Sequence, residues 1–230
     1  MKVIDNKKKI ERNRKIGLYS SLGSLVILVG GFVLSLNPEY LGAAYGALLV
    51  GLLMSQLGIY YGNRWGKSPR MDERLTLALK GLDDRYTLYH YMTAVPHLLA
   101  GPSGLWVLTP QHQPGEITYE NNRFRQKGVF VLSRLFAQEG MGRPDLEAQA
   151  YQQDMEKFLK KSLPEGNIPA IQPAIIFVNP KARVQAAESP IPAMHVEKLK
   201  DFIRKKGKEQ AVSLADIRPI TDLLPEESIS

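Results

Sequence analysis

The chain has 230 residues, a formal net charge of +7 and no cysteine, which excludes disulfides, thiolate zinc sites and a cysteine nucleophile. The positive charge is local: residues 1–15 carry seven basic and two acidic side chains, residues 63–70 carry three basic ones, and residues 71–230 carry twenty of each sign. The basicity therefore does not indicate a polyanion-binding domain.

Two uncharged, apolar segments, residues 16–36 and 41–62, follow the basic first fifteen residues. They are 21 and 22 residues long, so as helices rising about 1.5 Å per residue each would cross a hydrocarbon core of about 30 Å. A buried helical hairpin in a soluble core is the alternative, but two such segments in succession are rare in soluble domains. The sequence predicts a transmembrane helical hairpin.

Basic residues flank this hairpin on both sides, whereas the turn at residues 37–40 carries only Glu39. Because Lys and Arg near the ends of spans stay on the cytoplasmic side, we expect both termini in the cytoplasm and the turn outside. The predicted location is the inner membrane of a bacterial-type cell, and the first predicted partner is the lipid bilayer.

Small residues recur at one-turn spacing within the spans, a pattern that allows helix backbones to approach closely. The pairs are Ser20 with Ser24, Gly42 with Gly46, and Gly58 with Gly62. Either they close the hairpin within one chain, or they form a seam between two copies in a homo-oligomer.

After a short linker at residues 63–70, apolar residues recur at helical spacing over residues 71–82. Residues 85–92 are rich in tyrosine and predict a strand. Two short apolar runs, 97–100 and 105–108, are joined by the turn sequence Gly-Pro-Ser-Gly and predict a buried hairpin. Residues 116–126 alternate in polarity and predict one further strand with a solvent face.

The second half of the chain predicts helices around one more strand. A loop or short helix is expected at 130–139, helices at 145–163 and 194–206, a buried strand at 174–178, and a short helix at 214–224 before an acidic tail. The fold class is therefore α/β, a mixed sheet flanked by helices over residues 71–210, with residues 211–230 forming a C-terminal helix and tail.

The stretch from residue 72 to about residue 206 resembles the nuclease-related domain (NERD) family of the restriction-endonuclease-like superfamily. The matching features are Glu73 on the first helix, the hairpin sequence His-x-x-x-Gly-Pro-x-Gly from His97, and the later strand ending in Phe-Val-Asn-Pro at Pro180. The resemblance implies a restriction-endonuclease-like mixed sheet.

That family's chemistry needs an Asp just before the hairpin histidine and a Glu-x-Lys motif at the end of the next strand, where the carboxylates hold a divalent cation. Here those positions are Pro96, Thr109 and Gln111. Glu73 alone survives among the acidic positions, so the resemblance implies a degenerate member with no catalytic residues, no metal and no cofactor.

The alternative is a metal-dependent phosphodiesterase whose site has moved. Its ligands for Mg²⁺ or Mn²⁺ would come from acidic or histidine side chains on the flanking turns and strands. These are Asp83, Asp84, Glu116, Glu120 and His112.

Two basic clusters are candidates for binding nucleic acid or the anionic inner leaflet. The first comprises Arg123, Arg125 and Lys127, interleaved with Tyr119 and Phe124, which could stack on bases. The second comprises Arg204, Lys205 and Lys206 near the end of a helix, where solvent and the helix dipole are the other explanation. We expect a membrane-anchored module that binds a protein or nucleic-acid partner.

Overall fold

The computed structural model describes residues 1–128, 140–163 and 169–229. Its helices are α1 Lys7–Ser35, α2 Leu41–Tyr61, α3 Met71–Leu79, α4 Pro144–Ser162, α5 Leu199–Glu209 and α6 Leu214–Leu223. Its strands are β1 Lys2–Asp5, β2 Thr87–His90, β3 His97–Gly101, β4 Gly104–Gln111, β5 Gly115–Glu120, β6 Arg123–Lys127, β7 Ile171–Phe177, β8 Ala182–Gln185 and β9 Ala193–His195.

Within these ranges the main sheet is mixed, with the strand order β1-β2-β3-β4-β7-β9. The predicted hairpin is confirmed, since β3 and β4 pair antiparallel with Gly101 opposite Gly104. Strand β7 pairs parallel to β4, after a connection that includes α4. A smaller sheet has the order β6-β5-β8. The α/β class with a mixed sheet is thereby confirmed.

Alternate residues of the central strands enter two apolar layers, because successive side chains of a strand point to opposite faces. Leu88, Leu99 and Trp106 pack with α3 and α5 on one face. Tyr89, Leu98 and Val107 pack with α4 and α6 on the other. The domain is thus a three-layer sandwich with helices on both faces of the sheet.

Helices α1 and α2 form the predicted apolar hairpin, and both are long and apolar enough to cross a membrane. Helix α1 begins nine residues before the apolar segment, because Asn6 caps it by accepting a hydrogen bond from the Lys9 amide at 2.9 Å. Large apolar side chains on both helices are exposed, for example Val26 at 71% and Phe32 at 63%. Such an apolar surface indicates that these side chains contact either an apolar environment or another protein surface.

Small residues let the two helices approach closely within one chain. A methyl group at Gly58 would collide with Ser21, and one at Gly31 would lie 3.1 Å from the Ala47 side chain. A methyl group at Gly42 or Gly46 would meet nothing within 4 Å among the described residues. Gly58 therefore belongs to the intramolecular seam, while the Gly42–Gly46 pair lies on an open face.

The first fifteen residues are more than a basic segment. Residues 2–5 form β1, the strand next to β2, in parallel register with Lys2 opposite Thr87. Ile4 of this strand is 2% exposed in the core. The C-terminal tail also reaches this edge, because the Ile229 amide donates to the Asp5 carbonyl at 3.0 Å. The domain thus includes residues from both ends of the chain.

Two element predictions are correct in type over most of their length but wrong in their bounds. Residues 116–126 form two strands, β5 and β6, joined by a turn at Asn121 and Asn122 with φ of 50° and 59°. Asparagine tolerates this left-handed backbone, which the alternation pattern alone did not reveal. The predicted helix at 194–206 is strand β9, a 3₁₀ turn and α5. The segment 130–139 lies outside the described residues.

Candidate binding site at the base of the helical hairpin

A cavity of about 200 Å³ lies where the apolar hairpin meets the α/β domain. It is lined by Lys9, Asn13, Tyr60, Arg64, Trp65, Met71, Tyr91, Pro96, His97, Thr109, Pro110, Glu147 and Tyr151. The hairpin thus supplies one wall, and the ends of β2, β3 and β4 with the first turns of α4 supply the other. Pro96 and Thr109 occupy two of the positions where the family resemblance expects catalytic carboxylates.

The hairpin is packed onto the domain beside this cavity. Residues 63–66 are predicted as the start of a linker, but together with Gly62 they form a π-helical turn that continues α2 and buries Trp65. The Trp65 ring lies 5.8 Å from the Tyr91 ring, and both pack with Ile10 of α1. The cavity therefore lies beside an apolar contact that joins the hairpin to the domain.

Tyr91 closes the connection between β2 and β3 in a strained conformation. Its φ is 58°, uncommon for a bulky side chain, and its amide donates to the Pro96 carbonyl at 2.7 Å. The Tyr91 ring lies edge-on to the His97 ring at 4.9 Å between centroids. Burial, with the nearby Asp72 carboxylate, raises the pKa of the Tyr91 phenol, so it stays protonated.

Two buried histidines form a hydrogen-bonded chain that ends at the cavity. Nδ1 of His90 lies 2.8 Å from Nδ1 of His97, and Nε2 of His90 lies 2.8 Å from Oγ1 of Thr76. Burial lowers the pKa of His90 to about 4. Burial, with His90 beside it, also holds the pKa of His97 far below its ordinary value. Both rings are neutral at physiological pH.

At the end of β4, polar side chains occupy the place of the expected Glu-x-Lys motif. Thr109 is 1% exposed, and its Oγ1 has no hydrogen-bond partner among the described residues. Nε2 of Gln111 donates to Oε2 of Glu147 at 2.9 Å, and the Tyr151 hydroxyl donates to Oε1 at 3.1 Å. A buried hydroxyl without a partner costs free energy, and the Thr109 hydroxyl is such a group among the described residues.

Cationic side chains enter the cavity from the hairpin. Nζ of Lys9 lies 5.9 Å from the Tyr91 ring centroid. Cζ of Arg64 lies 3.9 Å from the Tyr60 ring centroid, and its Nη1 is 3.4 Å from the Tyr60 carbonyl. These contacts place positive charge against the aromatic faces that line the cavity.

Glu73, the retained acidic position, caps α3. Its Oε2 accepts from the Ser68 hydroxyl at 2.6 Å and from the Arg70 amide at 2.9 Å. Burial alone would raise the pKa of Glu73, but the hydrogen bonds from Ser68 and Arg70 lower it. Glu73 is not among the cavity residues, while the neighbouring Asp72 is buried in a bidentate pair with Arg70. The carboxylates of Asp72 and Glu73 therefore both stabilise the start of α3 through contacts with Arg70 and Ser68.

The candidate ligands of a relocated metal site do not converge. Asp83 pairs with Arg85 at 2.6 Å, and Glu120 pairs with Lys127 at 3.0 Å. Across residues 1–128, 140–163 and 169–229, no group of three His, Asp or Glu side chains could hold a metal ion. Among the described residues that line the cavity, the one carboxylate is Glu147, whose oxygens already accept hydrogen bonds. The described residues therefore do not fit the Mg²⁺ or Mn²⁺ that a relocated site would require.

The first predicted basic cluster lies on β6. Arg123, Arg125 and Lys127 are exposed. Phe124 between them is 2% exposed and packs on Phe177 at 6.2 Å between centroids. Phe124 is therefore not available to stack on a base.

The second predicted basic cluster ends α5, and its side chains have partners. Nη2 of Arg204 donates to the Gly81 carbonyl at 2.9 Å. Nζ of Lys206 and Nζ of Lys205 lie 3.2 Å and 3.7 Å from the Glu209 carboxylate. These contacts match the helix-dipole explanation, and neither basic cluster lines the cavity.

Sequence reasoning missed the principal cavity residues. In the sequence, Lys9 and Arg64 belong to the basic flanks that predict membrane orientation. Thr109 stands where the resemblance expects a catalytic carboxylate. The spacing of Glu147 and Tyr151, one helical turn apart, is a signal that could have marked one face of α4. No protein-family model, curated protein or solved structure matches this chain.

Proposed function

We propose that the protein is a two-span inner-membrane protein of a bacterial-type cell, whose cytoplasmic α/β domain serves as a binding module. The observation that supports this most is the contrast in exposure. Large apolar side chains are exposed along α1 and α2, whereas the central strands of the domain bury theirs in layers on both faces of the sheet. A bilayer is the surrounding that accommodates both.

We further propose a nuclease-related, restriction-endonuclease-like domain that has lost metal-dependent catalysis. Supporting it, α3 is followed by the antiparallel strands β2, β3 and β4, then by α4 and the parallel strand β7. The cavity lies at the positions where the resemblance expects the catalytic carboxylates. Glu147, which is already hydrogen-bonded, is the one acidic group among the described lining residues, so this cavity suits a ligand held by neutral and cationic side chains.

The membrane topology is tested by labelling single cysteines, which the cysteine-free chain makes straightforward. Glu39→Cys lies in the turn between α1 and α2, and Lys208→Cys lies at the end of α5. In spheroplasts a membrane-impermeant maleimide should label Glu39→Cys, and should label Lys208→Cys only after lysis. Labelling of Lys208→Cys in intact spheroplasts, or of both at equal rates, would overturn the topology.

The alternative function is the metal-dependent phosphodiesterase, which would have to use Glu147, the carboxylate among the described cavity residues. Its test is calorimetric titration of the full chain in detergent with Mn²⁺, beside a plasmid-nicking assay. We expect no saturable binding and no cleavage. Cleavage lost in Glu147→Gln but kept in the matched control Asp154→Asn, exposed on the same helix, would establish a displaced active site instead.

A further inference from the structure

The cavity at the base of the hairpin combines positive charge with donors that carry no charge. Of the described residues that line it, Lys9 and Arg64 are cationic and Glu147 is anionic. Each Glu147 oxygen already accepts a hydrogen bond, from Gln111 or from Tyr151. The buried Thr109 hydroxyl adds a donor that has no partner among the residues the structure describes. This combination favours an anionic ligand with several acceptor oxygens.

The size of the cavity limits the ligand further. Its volume of about 200 Å³ holds several waters, but is below the roughly 300–1,000 Å³ typical of pockets for drug-sized molecules. A phosphate group with a short substituent fits a cavity of this size.

The position of the cavity along the hairpin suggests where that group comes from. Lys9 precedes the apolar segment of α1 by seven residues, about 10 Å along a helix, and Arg64 follows the segment of α2 by two residues, about 3 Å. The headgroup layer of a bilayer is about 5–8 Å deep on each side. If the hairpin spans a bilayer, Arg64 therefore lies within the headgroup layer and Lys9 lies at its aqueous edge, so the cavity adjoins the lipid headgroups.

We propose that this cavity binds a phosphate group, presented by the headgroup of an anionic phospholipid or by a small soluble phosphate ester. The lipid source rests on the proposed membrane function, whereas recognition of phosphate does not. Lys9 supplies charge from α1, and Thr109 supplies a hydrogen bond from β4. The ligand would join the hairpin to the domain.

The test measures thermal unfolding of the full chain in neutral detergent micelles, with phosphatidic acid, phosphatidylcholine, glycerol 3-phosphate or a short oligonucleotide added. Ligand binding to the folded state raises the unfolding temperature. We expect phosphatidic acid to raise it and phosphatidylcholine to leave it unchanged. A response to glycerol 3-phosphate without one to phosphatidic acid would keep phosphate recognition but overturn the lipid source.

Two matched pairs of variants assign the effect to the cavity. Thr109→Val should weaken apparent affinity about tenfold or more, the loss expected for a hydrogen bond to a charged group, without lowering ligand-free stability. Thr118→Val, which removes a buried hydroxyl on β5, should not change affinity. Lys9→Gln should weaken binding, and Lys8→Gln, exposed on the same helix turn, should have little effect.

The outcomes separate this inference from the topology. Equal losses in Lys8→Gln and Lys9→Gln would show general attraction to the basic segment and overturn the cavity site. A response to the oligonucleotide that depends on Thr109 would replace it with nucleic-acid binding. No response to any phosphate compound, with the cysteine labelling pattern intact, would refute phosphate binding while leaving the membrane proposal standing.

Discussion

At the scale of single residues, the pair His90 and His97 determines how hydrogens are arranged beside the cavity. Since Nδ1 faces Nδ1 at 2.8 Å, one nitrogen must donate and the other accept. If His90 donates, its Nε2 accepts from Thr76 and the Nε2 of His97 carries hydrogen. The opposite choice reverses both ends, so the hydroxyl of Thr76 and the ring of His97 are linked.

Stability should depend on pH through His90. Its pKa is about 4 in the folded protein and about 6.5 when unfolded, so the unfolded state binds more protons between these values. Stability is complete above pH 6.5 and falls as pH decreases towards 4, by about 3 kcal/mol for His90 alone. The measurement is urea unfolding of the full chain in detergent at pH 7.5, 6 and 5.

The control for this prediction is His90→Gln, which can still donate to His97 but does not titrate. Its stability should change less between pH 7.5 and 5 than that of the unaltered chain. Equal pH dependence in both proteins would show that other groups are responsible and that His90 is not buried as a neutral ring.

The residues around Thr109 show why sequence alone could locate the cavity only in part. The resemblance predicts that Pro96, Thr109 and Gln111 lie together at the position of a catalytic site. In the structure, Pro96 and Thr109 line one cavity. The partner of Gln111 is Glu147, thirty-six positions along the chain on another helix. Nothing in the local spacing indicates that contact, because it depends on how α4 packs against β4 and β7.

At the scale of secondary-structure elements, β1 is a short strand with one buried face. Ile4 is 2% exposed and Val3 is 37% exposed, so adjacent residues of the same strand have opposite surroundings. Ile4→Ala should cost about 2–4 kcal/mol of unfolding free energy, because it removes buried methyl groups and leaves a void. Val3→Ala should change it by less than about 0.5 kcal/mol.

This comparison is made by chemical unfolding of the full chain, followed by tryptophan fluorescence. Similar small effects of both substitutions would mean that residues 2–5 are not docked on the sheet. A large effect of Val3→Ala with a small one of Ile4→Ala would mean that the strand faces the opposite way.

Elements with long apolar patterns were predictable, and β1 was not. The two apolar helices and the β3–β4 hairpin follow from runs of apolar residues, and α4 follows from its acidic first turn and basic last turn. Strand β1 has two apolar residues between charged ones, and its partner is about eighty-five positions away. Its pairing is a tertiary effect, since a four-residue strand has little stability without its neighbour.

At the scale of the whole molecule, the apolar hairpin is inserted in the chain between two strands of the domain's main sheet. The domain therefore cannot be cut from the hairpin without losing a strand. The sheet includes β1 before the hairpin and β2 after it. A fragment of residues 71–230 would therefore lack Ile4 and leave the edge of β2 unpaired, a site for non-native pairing. Experiments on function need the full chain for this reason.

The apolar composition of the spans made the hairpin evident, but its attachment could not be predicted. The attachment depends on Trp65, Tyr91 and Ile10, which come from three separate parts of the chain. The homo-oligomer, which the spacing of small residues on the two helices suggests, stays a prediction. The open face with Gly42 and Gly46 would be its seam, because Gly58 is used within the chain.

The pairing of β1 with β2 also means that the main sheet can close only after the hairpin has been synthesised. Residues 2–5 leave the ribosome before the hairpin, and β2 follows only after the entire hairpin has been made. At about 5–20 residues per second, the first strand waits several seconds without a partner. Throughout that interval the nascent chain carries two apolar helices, so their insertion into a membrane would precede closure of the sheet. Translation speed through the hairpin would then govern how much protein reaches its native form.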